Sequence, residues 1–111
     1  MATRVLIVET DGAIQDIIYP HKPTFKDIYP KIKADLIEPV KGKIEIDTNK
    51  GIRKKSVEMW TDEEAKLTGK PVNTVATKAY RHYWASKKQW RFDTINGAVA
   101  VLIPNYEQYE V

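Results

Sequence analysis

Cysteine is absent from the chain, which excludes disulfides and thiolate metal sites and fits a reducing compartment. Phosphate-loop chemistry is missing too. Gly69-Lys70 has the ending of such a loop, but Glu64 stands where its first glycine belongs and Pro71 where its hydroxyl belongs. There is no G-x-G-x-x-G, no G-x-S-x-G and no cysteine nucleophile. The two histidines, His21 and His82, lie too far apart for zinc-ligand spacing. The longest apolar runs, Val5 to Val8 and Ala98 to Ile103, fall well below the roughly 20 residues that a membrane helix needs. Met1-Ala2-Thr3-Arg4 leads straight into a strand-like run, so no signal peptide and a cytoplasmic location are expected. No cofactor, metal or membrane partner is expected, and no catalytic residue is assigned.

What is present is enough for one hydrophobic core. The chain has 111 residues, of which 42% are hydrophobic, a size and composition that suit a single domain spanning 1–111. Residues 104–111 read as a polar C-terminal tail. Eighteen basic residues against fifteen acidic ones give a net charge of +3. That is a mild bias, so the placement of the charges matters more than their sum.

Arg4 to Val8 and Ala13 to Ile18 are β-branched runs flanking Asp11-Gly12, which predicts a β-hairpin. Thr24-Phe-Lys-Asp27 has the form of a helix start, with a hydroxyl to cap it and an acid in its first turn. Pro30 predicts that this helix stops near Tyr29. Ala34 to Val40 and Lys43 to Asp47 read as two strands separated by Lys41-Gly42. Thr48 to Gly51 reads as a turn, and Lys55 to Trp60 as another strand. Thr61 to Gly69 reads as a hairpin loop or single helical turn. Val72, Val75, Ala76, Ala79, Tyr80, Tyr83 and Trp84 then fall at i, i+3, i+4, i+7, i+8, i+11 and i+12. That stripe predicts an amphipathic helix, with Asn73 as its cap and all three rings pointing inward. Trp90 to Phe92 reads as a short extended piece. Asn96-Gly97 reads as a turn, and Ala98 to Ile103 as a buried central strand. The fold class is therefore α+β: a small, mainly antiparallel sheet packed against one long helix in the C-terminal half and one short N-terminal helix.

The segment Asp62-Glu-Glu-Ala-Lys-Leu-Thr-Gly-Lys-Pro-Val-Asn73, followed by Ala76-Thr77 and by Ile95-Asn-Gly97 before an apolar strand, resembles the DUF3846 family of small domains encoded mainly by bacteriophages. Residues Ile46 to Val57 read as an insertion relative to that family. The resemblance implies a phage gene product acting inside an infected bacterium. It implies no catalytic or ligand-binding residue.

Two basic clusters stand out. Lys78, Arg81, Lys87, Lys88 and Arg91 occur between positions 78 and 92 without one acidic residue. With Tyr80, Tyr83 and Trp84 turned inward, Lys78, Arg81 and His82 form the wet face, continuing to Lys88 and Arg91. The second cluster is Lys50 and Arg53-Lys54-Lys55. Each has a bland reading, as a solvated helix face and as charge guarding an edge strand. Each also has a functional one, as contacts to phosphate or to an acidic partner. Asp62-Glu63-Glu64 reads as a water-facing loop tip rather than a metal site. The reading placed first is a non-enzymatic accessory protein that binds a host or phage protein, with Trp60 and Trp90 as interface aromatics. A nucleic-acid-binding accessory protein that uses the basic helix face is the alternative. An enzyme resting on the acidic loop and His82 comes third, and homodimerisation through an open sheet edge is compatible with all three.

Overall fold

The computed structural model describes residues 2–48 and 51–104. Its backbone runs β1 (Thr3–Val8), β2 (Ile14–Tyr19), α1 (Phe25–Ile32), β3 (Ile37–Thr48), β4 (Gly51–Asp62), α2 (Thr74–Ser86) and β5 (Val99–Pro104). The strands form one five-stranded sheet in the order β2-β1-β5-β4-β3, every neighbouring pair antiparallel. α+β is the class. The expected turn at Thr48 to Gly51 and the tail beyond Pro104 involve Asn49, Lys50 and residues 105–111, which lie outside the described residues.

The alternation of side chains along each strand gives the sheet two apolar faces. On one face Val57, Met59, Val99, Val101 and Ile103 meet Ala76, Ala79 and Tyr80 of α2. On the other, Val5, Ile7, Trp60, Ala100 and Leu102 meet Ile28 and Ile32 of α1. β5 is central and buried on both sides, which is why its sequence is a continuous apolar run. The predicted first hairpin forms, with Val8 opposite Ile14 and Gly12 at a φ of 90°.

α1 differs from its expected end. It runs through Pro30 to Ile32 and stops at Lys33, whose φ of 54° is left-handed. Proline removes one hydrogen bond, at a cost of about 3 kcal/mol. Ile28 and Ile32, one turn apart and both buried, offset it by about 1.5–3 kcal/mol each. At the other end, the Asp27 carboxylate accepts from the Thr24 backbone N–H at 2.9 Å and from its hydroxyl at 3.1 Å.

β3 is also a correction. Lys41-Gly42 does not separate two strands, and a single 12-residue strand pairs with β4 from Ile37 opposite Asp62 to Thr48 opposite Gly51. Gly42 lies under the Met59 side chain: a β-carbon there would sit 2.7 Å from the Met59 sulfur. Its role is a close approach inside the sheet, not a turn.

α2 has 13 residues, an ordinary length rather than the long helix expected. Lys88 ends it by adopting a φ of 60°. The Lys88 N–H donates to the Ala85 carbonyl and the Gln89 N–H to the Trp84 carbonyl, both at 2.9 Å. This is the paired closure usually built around glycine, so the sequence carried no stop signal. The 89–95 segment that follows, Trp90 to Phe92 included, forms no strand or helix.

Asn73 holds these parts together. Its side chain is fully buried, accepts from the Ala76 N–H at 3.1 Å, and donates to the carbonyls of Val8 at 2.9 Å and Gly97 at 3.0 Å. One amide thus caps α2 and ties it to the end of β1 and to the turn before β5. Thr77 adds a second tie, since its hydroxyl accepts from the Ile95 N–H and donates to the Ile95 carbonyl.

Asp caps helices as well as Asn does, but a carboxylate has no donors for the two carbonyls. Asn73→Asp is therefore expected to lose at least as much stability as Asn73→Ala, about 3 kcal/mol, from the cap and the stranded acceptors together. Urea denaturation of the two variants checks this, and recovery of stability in the aspartate variant contradicts it.

Candidate nucleic-acid interface

β4 pairs with β5 over only three residues, Glu58 to Trp60. Towards Gly51, β3 and β4 continue with no other strand beside them among the described residues and form a two-stranded ribbon. About seven residues at ~3.3 Å each make it roughly 23 Å long. The register puts Arg53 and Lys55 opposite Ile46 and Ile44, while Lys54 faces Glu45. Ile44 and Ile46 are partly buried against the core cluster that includes α2. Arg53 and Lys55 therefore share the sheet face that α2 covers.

α2 packs chiefly along β3, so its C-terminal half lies against this ribbon. A cleft of about 230 Å³ between them is lined by Lys43, Ile44, Glu45 and Lys54 from the ribbon and by His82, Ala85 and Ser86 from the helix. The two basic clusters recognised in the sequence meet here, Lys54 from one and His82 from the other. Lys50, part of the second cluster, lies outside the described residues.

The remaining predicted residues separate into distinct roles. Lys78, His82 and Lys88 are exposed. Arg81 is exposed but engaged, donating to the Phe92 carbonyl at 2.8 Å. It braces the 89–95 segment instead of serving as an uncommitted cation. Arg91 lies 4.4 Å from the Trp84 ring centre and Lys87 5.7 Å from that of Tyr83, distances at which a cation is attracted to an aromatic face.

The inward stripe is correct at Ala76, Ala79 and Tyr80, which are buried. Tyr83 and Trp84 are only half-buried, meeting edge-to-face at 5.2 Å. Val72 and Val75 are exposed, at 44% and 49%. Thr77 is buried in their stead, a polar residue that hydropathy could not select.

Trp60 is a clear correction: it is 2% exposed and belongs to the core under α1, where Phe25 meets its ring edge-on at 4.7 Å. Its indole N–H donates to the Glu58 carboxylate, which also pairs with Lys22 at 3.6 Å. Trp60 cannot serve as an interface aromatic. Trp90 is 72% exposed and Phe92, a second aromatic residue interleaved with the cations of the 78–92 segment, is 85% exposed.

The acidic segment is structural at its first residue. Asp62 is buried, pairs with Lys70 at 2.5 Å and accepts from the Glu64 N–H at 3.0 Å. Lys70 in turn donates to the Lys33 carbonyl at 2.6 Å. Among the described residues no group of three or more His, Asp or Glu side chains is arranged to hold a metal ion. A small cavity of about 160 Å³ lined by Glu38, Asp62, Tyr80 and Asp93 lies on this side. There the Tyr80 hydroxyl donates to both oxygens of Asp93 at 3.1 and 3.2 Å.

Comparison of the chain with protein-family models, with curated proteins and with solved structures finds no match. The charge distribution carries the reading from here. Residues 41–56 hold six basic and two acidic side chains, and residues 78–92 hold five basic and none acidic. The two segments that α2 and β3 bring together carry a net +9, and the rest of the chain, with seven basic and thirteen acidic residues, carries −6.

The Tyr80 phenol is pushed up from its ordinary value of 10.0 by burial and then by the Asp93 carboxylate. A raised phenol favours the protonated folded state, so its contribution is complete below pH 10 and is lost as pH climbs through the folded value. Tyr80→Phe is expected to give a shallower decline in stability above pH 10, measured by denaturation at stepped pH. An unchanged alkaline slope contradicts this.

Proposed function

We propose that the chain is a non-enzymatic nucleic-acid-binding accessory protein whose β3–β4 ribbon and C-terminal half of α2 contact the phosphate backbone. The observation that supports it is the segregation of charge: +9 on two segments that share a cleft, against −6 elsewhere. These two segments hold eleven of the eighteen basic residues and two of the fifteen acidic ones. A field of this kind attracts a polyanion and raises its rate of encounter, whatever the net charge of the whole. Two-stranded ribbons also match the width of the duplex major groove. Under this reading the chain works in the cytoplasm of a bacterium, as its resemblance to phage-encoded domains implies.

A host or phage protein with an acidic face is the second reading, favoured by the exposure of Trp90 and Phe92, since aromatic side chains anchor protein interfaces.

Binding of a 20-nucleotide duplex at stepped salt concentrations tests the proposal. Each phosphate neutralised contributes about −0.9 to the log–log slope. Joint reversal of Arg53 and Lys54 to Glu is expected to weaken binding at least tenfold at low salt and to flatten the slope by about 2. Reversal of Lys26 and Lys31, exposed on α1 on the opposite face, is expected to change neither. Undetectable binding at low salt, or equal effects from the two pairs, contradicts the proposal.

A further inference from the structure

We infer that the preferred ligand of this surface is single-stranded nucleic acid, with Trp90 and Phe92 stacking on unpaired bases; the inference rests on the nucleic-acid reading above and adds the class of ligand. Two large aromatic side chains two residues apart are 72% and 85% exposed. Both leave apolar surface in water that folding did not remove.

Their exposure does not come from a slack backbone. At one end the Gln89 N–H is bonded to the Trp84 carbonyl at 2.9 Å. At the other, Arg81 holds the Phe92 carbonyl, the Tyr80 hydroxyl holds Asp93, and the Thr77 hydroxyl accepts from the Ile95 N–H at 2.9 Å. Between these ties Arg91 lies over Trp84. The segment is braced from α2 along its length while its rings stay in solvent, so they are presented in place before any ligand arrives.

The surroundings select the ligand. Lys87, Lys88 and Arg91 alternate with Trp90 and Phe92, and no acidic side chain occurs from 78 to 92. Cations that follow a phosphate backbone beside rings that stack on bases are the two components of single-strand binding. A duplex satisfies only the first, because its base faces are already stacked within the helix. A protein partner would bury the same rings but would not discriminate between one strand and two. The stacking chemistry is common to DNA and RNA, whose bases offer the same faces.

The chain's three tryptophans make this directly readable. Trp60 is buried and Trp84 is half-buried beneath Arg91, so Trp90 is the one open to an incoming base. The test titrates the full chain with a 12-nucleotide mixed-sequence single strand and with the duplex of the same length at one ionic strength, following tryptophan fluorescence and anisotropy of a labelled strand. The single strand is expected to bind about tenfold more tightly than the duplex and to quench the fluorescence. Trp90→Ala is expected to abolish the quenching. Trp90→Ala and Phe92→Ala are each expected to weaken single-strand binding about tenfold while leaving duplex binding unchanged. Circular dichroism checks that both variants fold, as their exposure leads one to expect. Equal binding of both ligands without quenching overturns the stacking inference and leaves the backbone-binding reading intact. Failure to bind either ligand at low salt overturns that reading as well.

Discussion

The Asn73 side-chain amide fixes the position of α2, and much else follows from that. It is buried between the helix start, the end of β1 and the turn before β5, and it satisfies one backbone donor and two backbone acceptors there. A buried polar group at this depth destabilises the fold unless every partner is present. The arrangement therefore admits little variation in where α2 begins. With its start pinned and Thr77 bonded to Ile95 one turn later, the helix axis runs along β3 toward the free ribbon. Asn73 and Thr77 are thus both explained by the backbone groups they satisfy.

The same placement gathers the cations. β3 and β4 extend beyond the three residues that β5 covers, so about half of their length has no third strand beside it among the described residues. Isolated two-stranded ribbons are marginal in water. Here Ile44 and Ile46 are packed against the main core, which supports the ribbon from the α2 side. The cost is electrostatic. Lys43 and Lys54 line one cleft with the single acid Glu45, and an excess of like charge is eased when a counter-charge arrives. A polyanion supplies it.

Legibility in the sequence followed physical locality. The first hairpin, the Asn73 cap and the central strand were readable because each rests on a short-range rule: an Asp-Gly turn, a capping side chain, a run of apolar residues. Three features were not. Pro30 remains inside α1 because two isoleucines a turn apart are buried by the sheet, a tertiary gain that helix propensity ignores. Gly42 reads as punctuation, yet it lies mid-strand under Met59, a contact between residues seventeen apart. Trp60 and Trp90 look equivalent in the sequence. One is enclosed by Phe25 and the α1 core, and the other is held outside by hydrogen bonds from α2. The basic clusters were legible as clusters, but their meeting was not, because it depends on α2 crossing over β3.

The central claim is that two separated stretches of sequence form one anion-binding surface. Backbone amide chemical-shift mapping of the labelled chain during titration with an oligonucleotide tests it most directly. The account predicts that shifts concentrate in 41–56 and 78–92 and move together with a single dissociation constant. Shifts confined to one of the two stretches, or centred on α1 and its face of the sheet, would contradict it.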